Sequence, residues 1–172
     1  MSKIKMLTCA AMLTAMSVII GIFCKNFMNF GMGLFRVTFE NFPIILTGIL
    51  FGPVIGGIVG GATDLISYLL SSQVYPPNLI VTLGAVMIGV LSGVVSRTMV
   101  KKRGISQFIV SGTISHFVGS VIIKSIGLYQ FYGILVLWRI PLYVVIASIE
   151  IVLMCLLYRN VNFRKLLDDL GR

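Results

Sequence analysis

Residues 41–70 read NFPIILTGILFGPVIGGIVGGATDLISYLL, and the break inside this stretch decides the architecture. Phe42–Phe51 is apolar but short: as a helix it covers about 15 Å, half the hydrocarbon core of a bilayer. Gly52-Pro53 follows, a pair that closes one element and opens the next. Val54–Leu70, interrupted only by Asp64, is then long enough to cross. The pattern predicts a short helix packed back on a membrane-crossing one.

Working outward, Met6–Cys24, Leu79–Ser96, Ile105–Ile123 (apart from His116) and Ile140–Tyr158 (apart from Glu150) are further apolar runs of spanning length. Mean hydropathy is +1.04, with 58% apolar and 11% charged residues, more apolar surface than a water-facing exterior allows. The fold class is therefore an all-α membrane protein, a six-helix transmembrane bundle with a short second helix. Residues 1–172 form a single transmembrane domain.

Charge sets the orientation. With both termini cytoplasmic, the inside holds Lys3, Lys5, Arg97, Lys101, Lys102, Arg103, Arg159, Arg164, Lys165 and Arg172, against Lys25, Arg36, Lys124 and Arg139 outside. This asymmetry absorbs most of the net charge of +9 and removes the case for a nucleic-acid partner. Met1–Cys24 begins like a signal peptide but lacks a small-x-small cleavage site, so it is expected to remain as the first span.

The connections carry local signals. Phe35, Val37 and Phe39 alternate with Arg36, Thr38 and Glu40, which predicts an extended stretch ahead of the second helix. Ser71–Asn78 ends Tyr75-Pro76-Pro77-Asn78, with Asn78 placed to cap the next helix. Lys124–Gly133, with Tyr129, Phe131 and Tyr132, is expected to be an outside loop at interface depth, and Val161–Arg172 a polar tail at the inner surface. Gly56 with Gly60, Gly57 with Gly61, and Gly89 with Gly93 lie four apart and mark faces where helices touch. Ala11 and Ala15 form an A-x-x-x-A ridge on the first helix, a flat docking face for another membrane subunit.

Enzymatic constellations are missing. The chain has no G-x-x-x-x-G-K-[ST] phosphate loop and no G-x-S-x-G turn. His116 has no second histidine, and Cys9, Cys24 and Cys155 include no C-x-x-C pair, so the thiols read as packing residues. No enzyme activity, metal or cofactor is expected.

Ionisable and aromatic residues concentrate instead on the outer half. Arg36, Lys124 and Arg139 form a basic rim, which could equally snorkel to headgroups. Asp64 falls about 9 Å and His116 about 12 Å below the outer ends of their helices. Phe39, Tyr68, Tyr143 and Trp138 lie in register. Such a cup suits a molecule with a flat aromatic end and anionic groups pointing out. Glu150 is too deep for the rim and is expected to pair with another helix; His116 has the competing reading of an interhelical hydrogen-bonder.

Two stretches, Phe35-Arg36-Val37-Thr38-Phe39-Glu40-Asn41-Phe42-Pro43 and Phe51-Gly52-Pro53 through Asp64-Leu65, carry a family resemblance. Together with Tyr75-Pro76-Pro77, Trp138-Arg139 and the six-helix size, the chain resembles the substrate-binding S components of energy-coupling-factor (ECF) vitamin importers, most closely the folate-specific FolT subfamily. The resemblance implies a multi-pass protein of a bacterial plasma membrane that takes up folate in an outer pocket closed by the first and third outside loops. It implies docking on a transmembrane coupling (T) subunit through Ala11 and Ala15, with two ATPase subunits driving transport and the S component toppling in the membrane. Position 19, where longer versions of the ridge keep a small residue, is isoleucine.

Under that reading Asp64 accepts two pterin N–H groups, the ring stacks on Trp138, Phe39 or Tyr68, and Arg36, Lys124 and Arg139 meet the glutamyl carboxylates. An S component for pantothenate or a queuosine precursor is the alternative, though a ligand lacking two carboxylates needs fewer cations. A non-transport scaffold is the other; it gives no reason for Asp64, His116 and Lys124 within spans.

Overall fold

The computed structural model describes residues 3–30, 35–70, 77–99, 104–161 and 163–165. Helix α1 (Lys3–Phe27) leads into a two-residue antiparallel ladder, β1 (Asn29–Phe30) with β2 (Phe35–Arg36), in which Asn29 faces Arg36. The alternation across 35–40 is thus extended at its start. Then come α2 (Asn41–Phe51), α3 (Pro53–Leu70) and α4 (Leu79–Thr98). α5 (Ile105–His116), a π-helical segment (Phe117–Lys124) and α6 (Ser125–Tyr132) form one uninterrupted rod. A 3₁₀ turn (Gly133–Trp138) reverses the chain into α7 (Arg139–Arg159). Among the described residues this makes six helical rods.

The short second helix is the centre of the bundle, not an appendage. Ile44, Ile45, Leu46 and Ile49 of α2 are buried with Ile88, Phe108 and Met154 from α4, α5 and α7. It stops because Gly52 takes φ = +100°, a conformation that admits glycine readily, while its N–H still reaches Gly48 O at 2.9 Å. Pro53 then opens α3, where its missing N–H costs nothing. Arg97 Nη2 donates to Phe51 O at 3.1 Å and satisfies the last turn of α2.

α3 and α4 meet backbone to backbone. A Cβ on Gly56 would collide with the Gly89 carbonyl, and one on Gly89 with the Gly56 carbonyl. The paired glycines are the helix contact that their spacing predicts. Asn78 caps α4, accepting from Ile80 N at 2.9 Å, and its amide also donates to Gly127 O at 2.7 Å.

One expectation is corrected. Lys124–Gly133 is helix through Tyr132 instead of an outside loop, so the rod over residues 105–132 is about 40 Å long and outruns the hydrocarbon core. Only Gly127 could have broken it, and Gly127 packs against Ile80 and Val81. The tail begins helically, with Val161 and 163–165 still in helix. Tyr75 and Pro76 lie outside the described residues.

α1, α3, α4 and the stretch Ile105–Arg159 are long and apolar enough to cross a membrane. Leu7, Met12, Ile19, Phe23, Val54, Ile58, Leu69, Leu79 and Val152 are exposed around the bundle, a surface that suits lipid. The end at which α1, α3 and the 105–132 rod finish, and α4 and α7 begin, is termed the upper end below.

Candidate functional site

Charged side chains at the upper end turn inward. α1 runs three residues past Cys24, which carries Lys25 into the bundle at 7% exposure. Its Nζ donates to Ser67 Oγ of α3 at 2.7 Å and lies 3.9 Å from Glu40 Oε2. Glu40, 2% exposed, stands just before α2. Its other oxygen is 3.8 Å from Nζ of Lys124, the last residue of the π segment, and that amino group donates to Asn41 Oδ1 at 3.1 Å. Ser17 Oγ donates to the Glu40 backbone carbonyl at 2.5 Å, and the bare Cα of Gly21 leaves room for the carboxylate.

Glu40 therefore ties together α1, the loop before α2 and the end of the π segment. Burial opposes charge on its carboxyl, yet Lys25, Lys124 and Arg36 outweigh that penalty and hold it below the usual carboxylate range. Neither lysine is close enough to hydrogen-bond it, and Glu40 Oε2 has no hydrogen-bond partner among the described residues.

The two arginines are disposed differently. Arg36 is half-buried on β2, and its charge acts on Lys25, Glu40 and Arg139. Arg139 is buried at the start of α7, its guanidinium 5.9 Å from the Tyr132 ring centre and 5.6 Å from that of Tyr143. The Nε atoms of both are buried and without a hydrogen-bond partner among the described residues. Buried donors normally find acceptors, which sets these two apart from the buried amino groups of Lys25 and Lys124 at the same end.

Asp64 is half-buried on α3; its Oδ2 accepts from Thr82 Oγ1 at 2.7 Å, and its charge reaches Lys25. Phe39 and Tyr68 are half-buried. Trp138 ends the 3₁₀ turn at 68% exposure. His116 is buried deeper: its Nε2 lies 2.5 Å from Glu150 Oε2, a close contact without the alignment of a hydrogen bond. Its Nδ1 lies 3.4 Å from Ser120 Oγ, and Glu150 Oε1 accepts from Phe42 N at 3.1 Å. The acid expected to pair with another helix does so, with α5 and with the start of α2.

Arg36, Asp64, Lys124 and Arg139 thus converge on one end, each linked in charge to Lys25, Glu40 or Arg36, while His116 belongs to a lower pair. Lys25 and Glu40 escaped the sequence reading. The signal was present: alternation places Arg36, Thr38 and Glu40 on one face, and it is this polar face that holds the buried Thr38 and Glu40. No group of three metal-ligating side chains gathers among the described residues.

The upper end carries Lys25, Arg36, Lys124 and Arg139 against Glu40 and Asp64, four bases to two acids. Residues 31–34 and 71–76 add no Lys, Arg, Asp or Glu. Glu150, buried beside His116 and accepting from Phe42 N two residues past Glu40, adds a third acid just below, so the bases at this end still outnumber the acids.

The sequence matches the family model of the ECF transporter, substrate-specific component, over residues 5–166; the chain belongs to that family, and it is a multi-pass membrane protein. The structure is similar to that of FolT bound with folic acid, with a TM-score of 0.59, 20% identity, and 85% of this chain and 87% of that one covered. At that identity the likeness establishes the shared fold. A curated relative, an uncharacterized protein (MG098 homolog) of Mycoplasma pneumoniae, is 30% identical over 79 residues, 43% of this chain; the match spans 16% of that protein's length.

Proposed function

We propose that this chain is the S component of an ATP-driven importer in a bacterial plasma membrane, capturing folate outside and delivering it inward. A transmembrane coupling subunit and two ATPase subunits complete the transporter, and both termini of this chain face the cytoplasm, so that the upper end opens outward. The partnerless buried Nε atoms of Arg36 and Arg139, at an end where bases outnumber acids, carry the ligand reading, because the glutamyl end of folate brings two carboxylates.

The partnerless Nε atoms of Arg36 and Arg139 meet those carboxylates, a role in which the planar guanidinium can bind two oxygens at once. Lys124 contributes charge while its own hydrogen bond remains with Asn41. Asp64, already held by Thr82, accepts from the pterin edge, and Phe39, Tyr68 and Trp138 offer faces to the ring. His116 supports the floor through Glu150. The solved fold with folic acid in it supports the same ligand.

Binding of labelled folate to the purified protein tests this. Arg139→Ala and Asp64→Asn are each expected to weaken binding at least about tenfold, the loss of one charged hydrogen-bonding partner. Wild-type affinity in both variants would remove the assignment.

A further inference from the structure

The carboxylate of Glu40 has an unusual set of partners. It lies between two buried ammonium groups, 3.9 and 3.8 Å away, while Lys25 donates to Ser67 and Lys124 to Asn41. Removing it would leave Lys25 and Lys124 in place by those bonds yet raise the charge facing a ligand by one. Glu40 is also four residues from Arg36 on the same inward-turned stretch, so it neutralises amino groups without occupying the guanidinium donors.

Within a bundle, a bound anion is held most tightly when it leaves no net charge behind, because each unmatched buried charge carries its full desolvation cost. By lying between Lys25 and Lys124, Glu40 lowers by one the positive charge that the upper end turns toward a ligand. We propose that Glu40 tunes the ligand charge the site accepts, and so disfavours pteroyl ligands that carry additional carboxylates. This rests on the folate reading above and deepens it: Glu40 is a specificity-determining residue that acts through Lys25 and Lys124, not a ligand contact.

A charge ladder of competitors tests it. Pteroic acid (one carboxylate), folic acid (two) and pteroyldiglutamate (three) compete with labelled folate for the purified protein, and each variant is scored by affinity ratios relative to wild type, so that differences in ligand size cancel. Glu40→Gln is expected to shift the ratio about tenfold toward pteroyldiglutamate, and Lys25→Met about tenfold toward pteroic acid. The double variant Lys25→Met/Glu40→Gln restores the net charge of the wild-type site and is expected to restore the wild-type ratios. Single variants with wild-type ratios, or a double variant that behaves like either single one, would overturn the role of Glu40. Where Glu40→Gln cannot be recovered folded, Lys25→Met and the double variant decide the matter. A wild-type protein that binds none of the three overturns the folate reading itself.

Discussion

Glu40 occupies a position where a carboxylate survives only because of its neighbours. Two ammonium groups and one guanidinium outweigh its desolvation, so its proton leaves at lower pH than from an ordinary glutamate. The sign of the linkage follows. A depressed carboxyl stabilises the folded state above the unfolded pKa of about 4.3, and that stabilisation is lost as pH falls below the ordinary glutamate range toward the folded value. Thermal unfolding of the purified protein is therefore expected to be steady near neutral pH and to lose stability in acid, with a shallower acid limb in Glu40→Gln. Equal limbs in the two proteins would show that the ion cluster contributes nothing to the acid response. Arg36, Arg139 and Asp64 were legible one by one, since ionisable residues near the ends of apolar runs are few. Their shared partner was not: Glu40 looked like ordinary loop polarity, and only the inward turn of the 36–40 face makes it a hub.

At the scale of elements, the approach of α3 to α4 allows no side chain at the Gly56–Gly89 contact. Gly89→Leu is expected to force the helices apart, to cost about 3 kcal/mol or more, and to lower the thermal midpoint or abolish recovery of folded protein. A variant of wild-type stability would mean that the helices do not pack this closely. The glycine spacing, the Gly52-Pro53 break and the Asn78 cap could be read directly, because each is a local rule with a local cause. The helix over 125–132 could not. Its polar and aromatic residues resemble a loop, but its helical state is supported by packing of Gly127 on α4 and by the amide of Asn78, a partner 49 residues away.

For the whole molecule, one end gathers charge and the sides are apolar, the division of labour expected of a binding subunit carried in lipid. Ala11 and Ala15 are both exposed on α1, away from the ion cluster at its far end. Ala11→Leu/Ala15→Leu is expected to leave folate binding intact and to abolish co-purification with the coupling subunit; a complex that survives both leucines would place the docking face elsewhere.

Hydropathy and charge asymmetry alone determined that six helices lie in a membrane and that the second is short, because hydrocarbon thickness and the cost of buried charge act on any sequence in the same way. What only the tertiary structure decided is which charges neutralise one another. Lys25, Glu40 and Lys124 are separated by up to 99 positions and lie on three elements, and their pairing depends on the α1 extension, the inward loop face and the π segment meeting at one level. Coulomb energy depends on distance in space, and no pattern along the chain encodes that distance.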